Sequence, residues 1–391
     1  MSARPGGKLP ISTGPGDQSG AIPGPAWRRQ FRRRVLGWFA RHARDLPWRR
    51  SQDPYSIWLS EVMLQQTQVE TVIPYFGRFL KRFPSIGALA AATEEEVLRL
   101  WEGLGYYRRA RQLHQAARLL VARHGGAFPR DPEAVRRLPG IGRYTAGAIL
   151  SIAFDAREPI LEANTIRLLA RLLAYRGDPA SAAGTRLLWA MAEAVLPRRG
   201  SGQLNQGLME LGSTVCLARG PRCDACPAAL LCRARELSLV EAIPVPKARP
   251  PIEARREAAV VVRRRGRVLL VKCPDGGRWA GLWDFPRFVV GAEQDAALRA
   301  ELAAGVARLT GVAIEPGEHL ASIRHGVTRF RITLLCYQGR WLSGPNGQGP
   351  SGTMRWVRPD DLDAYPLSTT GRKLSQLIAE SGKLSRLRLS P

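Results

Sequence analysis

Acidic residues are scarce in this sequence. Its 391 residues include 33 Asp and Glu against 59 Lys and Arg, which gives a formal net charge of +26. The shortage of carboxylates excludes a predominantly acidic surface. The excess of cations predicts a polyanionic partner, because a chain this far from neutrality attracts polyanions over long distances.

Long apolar runs are also missing. Charged residues interrupt the hydrophobic stretches, so neither a transmembrane helix nor a membrane partner is expected. Residues 1–26 are rich in Gly, Pro and Ser and lack the apolar core of a signal peptide, so a disordered tail is expected there. The expected location is therefore the cytoplasm, where clustered cysteines more often bind metal than form disulfides.

Strand patterns are absent before residue 255, which argues against a sheet in the first part of the chain. The length predicts two or three domains. Residues 27–235 show helical periodicity, 236–255 form a Pro-rich charged linker, 256–380 an α+β domain, and 381–391 a basic tail. A first predicted helix begins at Asp53-Pro54. The other predicted helices cover 85–124, 131–138, 144–154, 165–174, 185–196, 205–215, 295–309 and 370–380. The predicted strands cover 258–262, 268–271, 319–324, 330–338 and 354–357.

A glycine turn interrupts the helices at residues 138–147 (Leu-Pro-Gly-Ile-Gly-Arg-Tyr-Thr-Ala-Gly). Gly140 and Gly142 are expected to allow a positive φ and a close backbone approach. The exposed amides of the turn and the positive end of the following helix then form a site for one phosphate. An ordinary helix–turn–helix connection is the alternative.

Cysteines are few, and four of the six fall within 17 residues with the spacing C-x6-C-x2-C-x5-C. Zinc sites usually contain two C-x-x-C knuckles or histidine, whereas one knuckle among four thiolates suits a compact [4Fe–4S] cluster. Cys273 and Cys336 lie in strand patterns and are expected in the core. The candidate metal ligands are Cys216, Cys223, Cys226 and Cys232.

Two glutamates are candidates for acid–base chemistry. Glu61 follows Ile57 and Trp58 in an apolar helix, where desolvation would keep a carboxyl protonated for use as a general acid. Glu162 precedes a helix whose predicted N-cap is Asn164, and the helix dipole would favour its anion. One neutral and one ionised carboxyl is an arrangement that cleaves glycosidic bonds. Structural roles for both glutamates are the alternative.

Together these features resemble the helix–hairpin–helix DNA glycosylases, and among them the branch that removes adenine mispaired with 8-oxoguanine or guanine. The resemblance covers roughly residues 27–380. It rests on residues 46–49 (Leu-Pro-Trp-Arg), 58–68 (Trp-Leu-Ser-Glu-Val-Met-Leu-Gln-Gln-Thr-Gln), 103–107 (Gly-Leu-Gly-Tyr-Tyr), the glycine turn and the cysteine spacing. It implies a monofunctional base excision repair enzyme with a [4Fe–4S] cluster, acting as a nucleoid-associated monomer on double-stranded DNA that contains A:8-oxoguanine or A:G mismatches.

The resemblance also implies individual roles. Glu61 matches the acid that protonates adenine at N7, and Tyr144 stands where endonuclease III has its Schiff-base lysine. A tyrosine cannot form an imine, so hydrolysis without lyase activity is implied. Gln66 and Tyr106 match residues that wedge into the duplex beside the lesion. Other matches are Gln65 and Thr67 beside Gln66, the residues Trp48, Arg49 and Glu210 of the pocket for flipped adenine, and Asn164 near the catalytic carboxylate.

Several positions depart from the family pattern. Glu162 and Ala163 replace the usual aspartate and glycine, and misplacing a carboxylate by about an ångström can cost about a hundredfold in rate. Residues 256–380 resemble a Nudix-like domain, with the best match at 281–286, but the metal-binding Nudix box is missing from 291–311. The loop that reads 8-oxoguanine retains His325 and offers the hydroxyl of Thr328, but lacks the usual aromatic residue and second histidine.

These departures leave two alternatives to adenine removal. The first is a helix–hairpin–helix glycosylase for thymine or uracil opposite guanine. The second is a lesion-binding protein whose chemistry is weakened because Glu162 replaces aspartate.

Overall fold

A computed structural model of the protein describes residues 21–245, 251–277, 279–327, 329–345 and 352–387. Residues 1–20 of the expected tail, Thr328, and residues 388–391 lie outside the described residues. The chain divides into two compact units that alternate along the sequence. Unit 1 comprises Met1–Ile57, Arg130–Arg136 and Ile141–Lys247, and unit 2 comprises Trp58–Pro129, Arg137–Gly140 and Ala248–Pro391.

Helices form the regular structure of the described chain up to residue 245, as predicted. They are α1 (Pro25–His42), α2 (Pro54–Leu64), α3 (Val69–Arg82), α4 (Ile86–Ala91), α5 (Glu94–Trp101), α6 (Arg108–His124), α7 (Pro132–Arg136), α8 (Arg143–Phe154), α9 (Ala163–Leu173), α10 (Ala182–Val195), α11 (Ser201–Thr214) and α12 (Arg233–Glu236). Sequence reasoning did not predict α3. Among the described residues, none of the helices combines the length and apolar character that crossing a membrane requires.

The core of unit 1 lies among α1, α9, α10 and α11. Val35, Leu169, Leu188 and Leu208, one from each of these helices, belong to one apolar cluster and are at most 1% exposed. Such full burial stabilises the fold by about 1.5–3 kcal/mol for each side chain. Because each helix places its apolar residues on one face, the four helices share this core.

The helical part of unit 2 packs around aromatic rings. Phe79 of α3 contacts Phe83 and Trp101 edge-on, with ring centroids 5.0 and 5.9 Å apart, and all three side chains are fully buried. The predicted helix over 85–124 is three helices in the structure, because Thr93 and Glu96 form a capping box that starts α5.

The rest of unit 2 is a seven-stranded sheet in the order β3-β2-β1-β6-β5, with β4 paired to β1 and β7 paired to β2. Only the β1–β6 pairing is parallel among the pairings described. The strands are β1 (Glu253–Arg264), β2 (Arg267–Lys272), β3 (Trp283–Asp284), β4 (Arg287–Val289), β5 (Ala313–Val327), β6 (Phe330–Ser343) and β7 (Met354–Val357), with helices α13 (Asp295–Thr310) and α14 (Thr369–Leu387).

A helix covers each face of this sheet. Val261 of β1 belongs to the same apolar cluster as Leu374 of α14, whereas Val260 belongs to the cluster of Leu302 of α13. Because both faces of β1 are covered, its buried residues form a continuous apolar run in the sequence, and this run predicted the strand.

Several boundaries differ from the predictions, and two strands were missed. Strand β1 begins inside the expected linker, and α14 extends to residue 387, into the expected basic tail. Strands β3 and β4 were missed because two or three residues are too few to show an alternating pattern.

Candidate active site and DNA interface

The turn before α8 has one of its two expected glycine conformations. Gly140 has φ +76°, and a Cβ there would lie 2.9 Å from the side chain of Gln112, so this position requires glycine. Gly142 corrects the expectation, since its φ of −86° and ψ of −179° are open to any residue. It is the N-cap of α8, and a Cβ there would meet nothing within 4 Å. Glycine at 142 therefore leaves the first amides of α8 uncovered, as phosphate binding requires.

Close backbone packing holds α8 within unit 1. A Cβ at Gly147 would lie 2.3 Å from the carbonyl oxygen of Pro159, so α8 packs directly on the segment that leads to Glu162. Asn205 of α11 donates to a side chain of α8 and to a carbonyl of this segment, at 2.9 Å in both cases. Tyr144 lies in the first turn of α8, and Glu162 follows the segment on which α8 packs. The two residues therefore lie on elements that are in direct contact.

Glu162 is the N-cap of α9. Its carboxylate accepts the backbone N–H groups of Asn164 at 2.8 Å and Thr165 at 2.9 Å, and Thr165 Oγ1 accepts the N–H of Glu162 at 2.8 Å. This reciprocal arrangement is a capping box. The prediction that Asn164 caps the helix is wrong, because Asn164 lies inside the first turn and its Oδ1 accepts from Arg167 at 2.9 Å.

The environment of Glu162 shifts its protonation in a direction that the sequence did not indicate. Burial raises the pKa of Glu162 above its usual value, although the N–H groups of Asn164 and Thr165 and the charge of Arg167 act in the opposite direction. The hydrogen bonds expected at a helix start are present, but desolvation outweighs them.

Glu61 lies on α2, in the part of this helix that belongs to unit 2. Its side chain is 6% exposed, and the neighbouring side chains of Trp58 and Met63 are fully buried. The side chain of Glu61 is therefore buried. Its role as a general acid remains a prediction.

The structure brings together two of the three residues expected in the adenine pocket. Glu210 of α11 is fully buried, and its Oε2 accepts from Arg49 Nη2 at 2.8 Å. Arg44, which sequence reasoning missed, donates to the same carboxylate through Nε at 2.7 Å and Nη2 at 3.0 Å. Burial opposes ionisation of Glu210, but the bonds from Arg44 and Arg49 prevail and hold its pKa below the usual value. Trp48 is buried in the turn that precedes Arg49.

A second missed residue, Arg109, joins the two loops that carry the predicted wedge residues. Its guanidinium donates to the carbonyls of Val62, Met63 and Gln65 at the end of α2, the last contact being the shortest. It also donates to Thr67 Oγ1 at 3.1 Å and to the carbonyl of Gly105 at 3.2 Å. Burial lowers the pKa of Arg109 to about 10. An arginine in a basic helix carries no sequence signal for this role, because its partners are mostly backbone carbonyls.

Both predicted wedge residues have left-handed backbone conformations. Gln66 has φ +59° and Tyr106 has φ +50°, which is uncommon for residues with side chains. Such strain persists only where surrounding contacts impose it, and Arg109 supplies contacts to both loops. Tyr106 is 52% exposed despite its aromatic ring. An exposed ring on a constrained turn suits insertion into a stack of bases.

The four clustered cysteines line one small cavity in unit 1. Arg171 extends along this cavity, with Nη1 3.3 Å from Cys216 Sγ and 2.6 Å from the carbonyl of Leu217. Burial raises the pKa of Cys226 to about 12, and it also raises the pKa values of Cys223 and Cys232. Thiols in this state exchange their protons for a metal when one binds.

The four cysteines supply the donor set that a [4Fe–4S] cluster takes, with all four thiols on the wall of one cavity. In the described part of the chain, no three His, Cys, Asp or Glu side chains are arranged to hold a single metal ion. The kind of metal that these four thiols bind remains a prediction.

Comparison with known proteins decides the family. Residues 59–193 match the HhH-GPD superfamily of base excision DNA repair proteins, and residues 258–377 match the NUDIX domain. The adenine DNA glycosylase of Rattus norvegicus is 36% identical over 409 residues, covering 90% of this chain and 78% of that protein. The adenine DNA glycosylase of Buchnera aphidicola subsp. Acyrthosiphon pisum is 35% identical, covering 66% of this chain and 74% of that protein. The chain belongs to the adenine DNA glycosylase family.

Membership of the adenine DNA glycosylase family confirms the predicted family, enzyme class and fold. The protein is a DNA N-glycosylase of base excision repair with a helical core and a Nudix-like domain. The solved structure of a thermostable thymine-DNA glycosylase superposes with a TM-score of 0.50 at 28% identity, covering 54% of this chain and 98% of that chain. The helical core is therefore shared with glycosylases of another specificity.

In this adenine DNA glycosylase family member, His325 of the Nudix-like domain lies in an ionic network. Its Nε2 is 3.2 Å from Nη2 of Arg287, and Arg287 also donates to Glu257 at 2.6 Å and to Thr370 at 2.8 Å. The side chains of Arg287 and Glu257 are at most 7% exposed. The contact of His325 with the base opposite adenine remains a prediction, and Thr328 lies outside the described residues.

Proposed function

We propose that this enzyme hydrolyses the N-glycosidic bond of adenine opposite 8-oxoguanine or guanine in double-stranded DNA, without lyase activity. The observation that carries the proposal is the likeness to adenine DNA glycosylases across 90% of the chain, which includes both the helical core and the Nudix-like domain. A glycosylase that shared only the helical core with these relatives would match them over the first part of the chain alone.

The chemistry is assigned to two glutamates and a tyrosine. Glu61 protonates adenine and so improves the leaving group, a contribution of about 100- to 10,000-fold for general acids. The carboxylate of Glu162 stabilises the positive charge that develops on the sugar, and its two backbone N–H bonds keep it at one place. Tyr144 assists near the sugar and cannot form an imine, so water attacks the anomeric carbon.

The extruded adenine is proposed to enter a pocket formed by Trp48, Arg49 and Glu210. The ion pairs of Glu210 with Arg44 and Arg49 support this assignment, because they orient the guanidinium of Arg49 before any substrate arrives. Asn164 is assigned to the vicinity of the catalytic carboxylate, since its backbone N–H binds that carboxylate.

DNA is proposed to bind at the start of α8 and at the two wedge loops. The uncovered amides after Gly142 would bind one phosphate. Gln66 and Tyr106 would enter the duplex and lower the cost of flipping adenine, with Gln65 and Thr67 supporting the first loop. His325 and Thr328 of the Nudix-like domain would contact the base opposite adenine.

Cys216, Cys223, Cys226 and Cys232 are proposed to hold a [4Fe–4S] cluster. Their shared cavity and the C-x6-C-x2-C-x5-C spacing in the sequence support this assignment over zinc. A bound cluster would supply a rigid cross-link among four points of unit 1, and Arg171 would offset part of the charge of the thiolates. Because the substrate is chromosomal DNA, the proposed location is the cytoplasm at the nucleoid, and the proposed state is a monomer.

The deciding experiment measures base release under single-turnover conditions from duplexes containing A:8-oxoguanine, A:G or T:G. Adenine release without strand cleavage supports the proposal. Changing Glu61 to Gln should lower the rate by at least about 100-fold while mismatch binding persists, because the amide cannot donate a carboxylic proton. The matched control is Glu70→Gln, an exposed glutamate of α3, which should retain activity.

Either of two results would contradict the proposal and favour another function. Release of thymine from T:G would favour the thymine specificity that the shared helical core permits. Tight mismatch binding without an abasic product would favour a lesion-binding protein.

A further inference from the structure

Unit 2 contains a direct link between its sheet domain and the turn that carries Tyr106. Glu102 follows α5 and precedes this turn. Its carboxylate accepts from Arg372 Nε at 2.6 Å and Nη2 at 2.9 Å, and from the backbone N–H of Leu367 at 3.2 Å. The side chains of Glu102 and Arg372 are 9% and 14% exposed, so water screens their attraction weakly.

The turn after Glu102 has little freedom to absorb a movement. Gly103 has φ +91°, and a Cβ there would lie 2.4 Å from Tyr75 Oη. Tyr75 Oη donates to the carbonyl of Glu102 at 2.7 Å, and the N–H of Gly103 donates to Tyr107 Oη at 3.2 Å. The N–H of Leu104 donates to the carbonyl of Trp101 at 3.0 Å, and the carbonyl of Gly105 accepts from Trp101 Nε1 at 3.1 Å. Because each residue between Glu102 and Tyr106 is held in this way, a displacement of Glu102 is passed on to Tyr106.

Arg372 is itself held firmly within the sheet domain. Its guanidinium donates to the carbonyls of Leu362 at 3.1 Å and Tyr365 at 2.7 Å, and to Asp363 Oδ1 at 2.6 Å. The arginine therefore connects Glu102 to two backbone carbonyls and one exposed carboxylate of the domain that is proposed to read the base opposite adenine.

We propose that Arg372 is a positioning residue that acts through Glu102 to hold Tyr106 in its wedging conformation. This inference rests on the proposed wedge role of Tyr106. It gives the sheet domain a specific means of influencing base flipping, because a shift of Arg372 on α14 during recognition of the opposite base reaches the wedge turn through its ion pair with Glu102.

A different pair at the same interface provides a matched control. Glu95, near the start of α5, accepts from Trp283 Nε1 at 3.0 Å and from Arg355 Nη1 at 3.4 Å. These contacts also join the sheet domain to α5, but they lie seven residues before Glu102. Arg355→Met therefore loosens the same interface without releasing the wedge turn.

The experiment uses the full chain and compares Arg372→Met, Glu102→Gln, Arg355→Met and Tyr106→Ala. Single-turnover adenine release from A:G duplexes measures the rate of base excision. The fluorescence of 2-aminopurine placed beside the target base measures unstacking. Arg372→Met and Glu102→Gln should each lower the release rate about 10- to 100-fold, the cost of ångström-scale misplacement, and should each reduce the unstacking signal. Arg355→Met should change them less than about twofold.

The decisive comparison is made in the Tyr106→Ala background. If Arg372 acts through Tyr106, Arg372→Met has no additional effect there, since residues of one pathway are non-additive. An additive effect, or equal losses for Arg372→Met and Arg355→Met, would overturn the proposal. Glu102→Gln keeps the side-chain shape and guards against a folding defect in Arg372→Met. Inactivity of the wild-type chain on A:8-oxoguanine would refute the proposed function instead.

Discussion

At the scale of single residues, Glu162 is the position where this chain departs most clearly from its family's pattern. The longer side chain bends back to cap its own helix, with both carboxylate oxygens bonded to backbone N–H groups. Aspartate is itself a favoured N-cap and can make similar bonds. Either residue can therefore cap α9. What the change from aspartate to glutamate alters is the position of the carboxylate charge.

Changing Glu162 to Asp is expected to preserve or raise the rate of adenine release. The shorter carboxylate remains at the start of α9 and occupies the position usual for the family. Single-turnover rates on A:8-oxoguanine duplexes, with thermal unfolding as the folding check, test this. Complete loss of activity in a folded variant would mean that the site is built around the longer side chain.

The raised pKa of Glu162 gives this residue a defined pH dependence. Its ionised form is the one proposed to act, so activity should fall as the pH drops through this raised pKa, at higher pH than for an exposed glutamate. The effect on stability has the opposite sign. The neutral buried form contributes stability below the unfolded-state pKa of about 4.3, and this contribution is lost as the pH rises through the folded pKa. A pH–rate profile with an ordinary acidic limb would contradict the assignment.

At the scale of secondary-structure elements, Arg109 joins the end of α2 to the turn before α6. Replacing it with Met should lower the free energy of unfolding by about 2–4 kcal/mol, because several buried carbonyls lose their donors. Adenine release should fall as well, since both wedge loops are released. Urea unfolding and single-turnover kinetics measure the two effects. Arg108→Met, at the exposed neighbouring arginine, is the control and should change neither.

The glycines before α8 are expected to separate stability from binding. Gly140→Ala should destabilise the protein by about 1 kcal/mol or more, because φ is positive there and Gln112 occupies the space. Gly142→Ala should leave the unfolding temperature unchanged and weaken binding to an uncleavable duplex, since only a ligand would meet the added methyl group. Equal affinities of wild type and Gly142→Ala would exclude phosphate binding at this point.

At the scale of the whole molecule, a [4Fe–4S] cluster bound in the cysteine cavity would cross-link residues 216–232 of unit 1. Cys226→Ser should remove a broad absorbance near about 400 nm, the signature expected of a [4Fe–4S] cluster. Hydrogen exchange should rise around residues 216–232 more than in unit 2. Cys273→Ser, a cysteine of unit 2 outside the cavity, is the control. A colourless wild-type protein that contains zinc would contradict the assignment.

Predictability differed among the candidate residues for physical reasons. Glu61 and the four cysteines could be proposed from the sequence because apolar spacing and cysteine spacing are local properties of the chain. Arg44 and Arg109 were missed because their partners are far away in sequence or are backbone atoms. The cap of α9 was misassigned because Asn164 has a higher capping propensity than Glu162, and the capping box with Thr165 overrides that propensity.

The sequence by itself determined the helical first part, the sheet in the second part, the clustered cysteines and the family, because periodicity and motif spacing are local properties. Only the tertiary structure decided that Glu162 is desolvated, that Glu210 pairs with Arg44 as well as Arg49, and that Arg372 holds Glu102. Desolvation and ion pairing depend on which distant segments surround a group, and no local pattern records them.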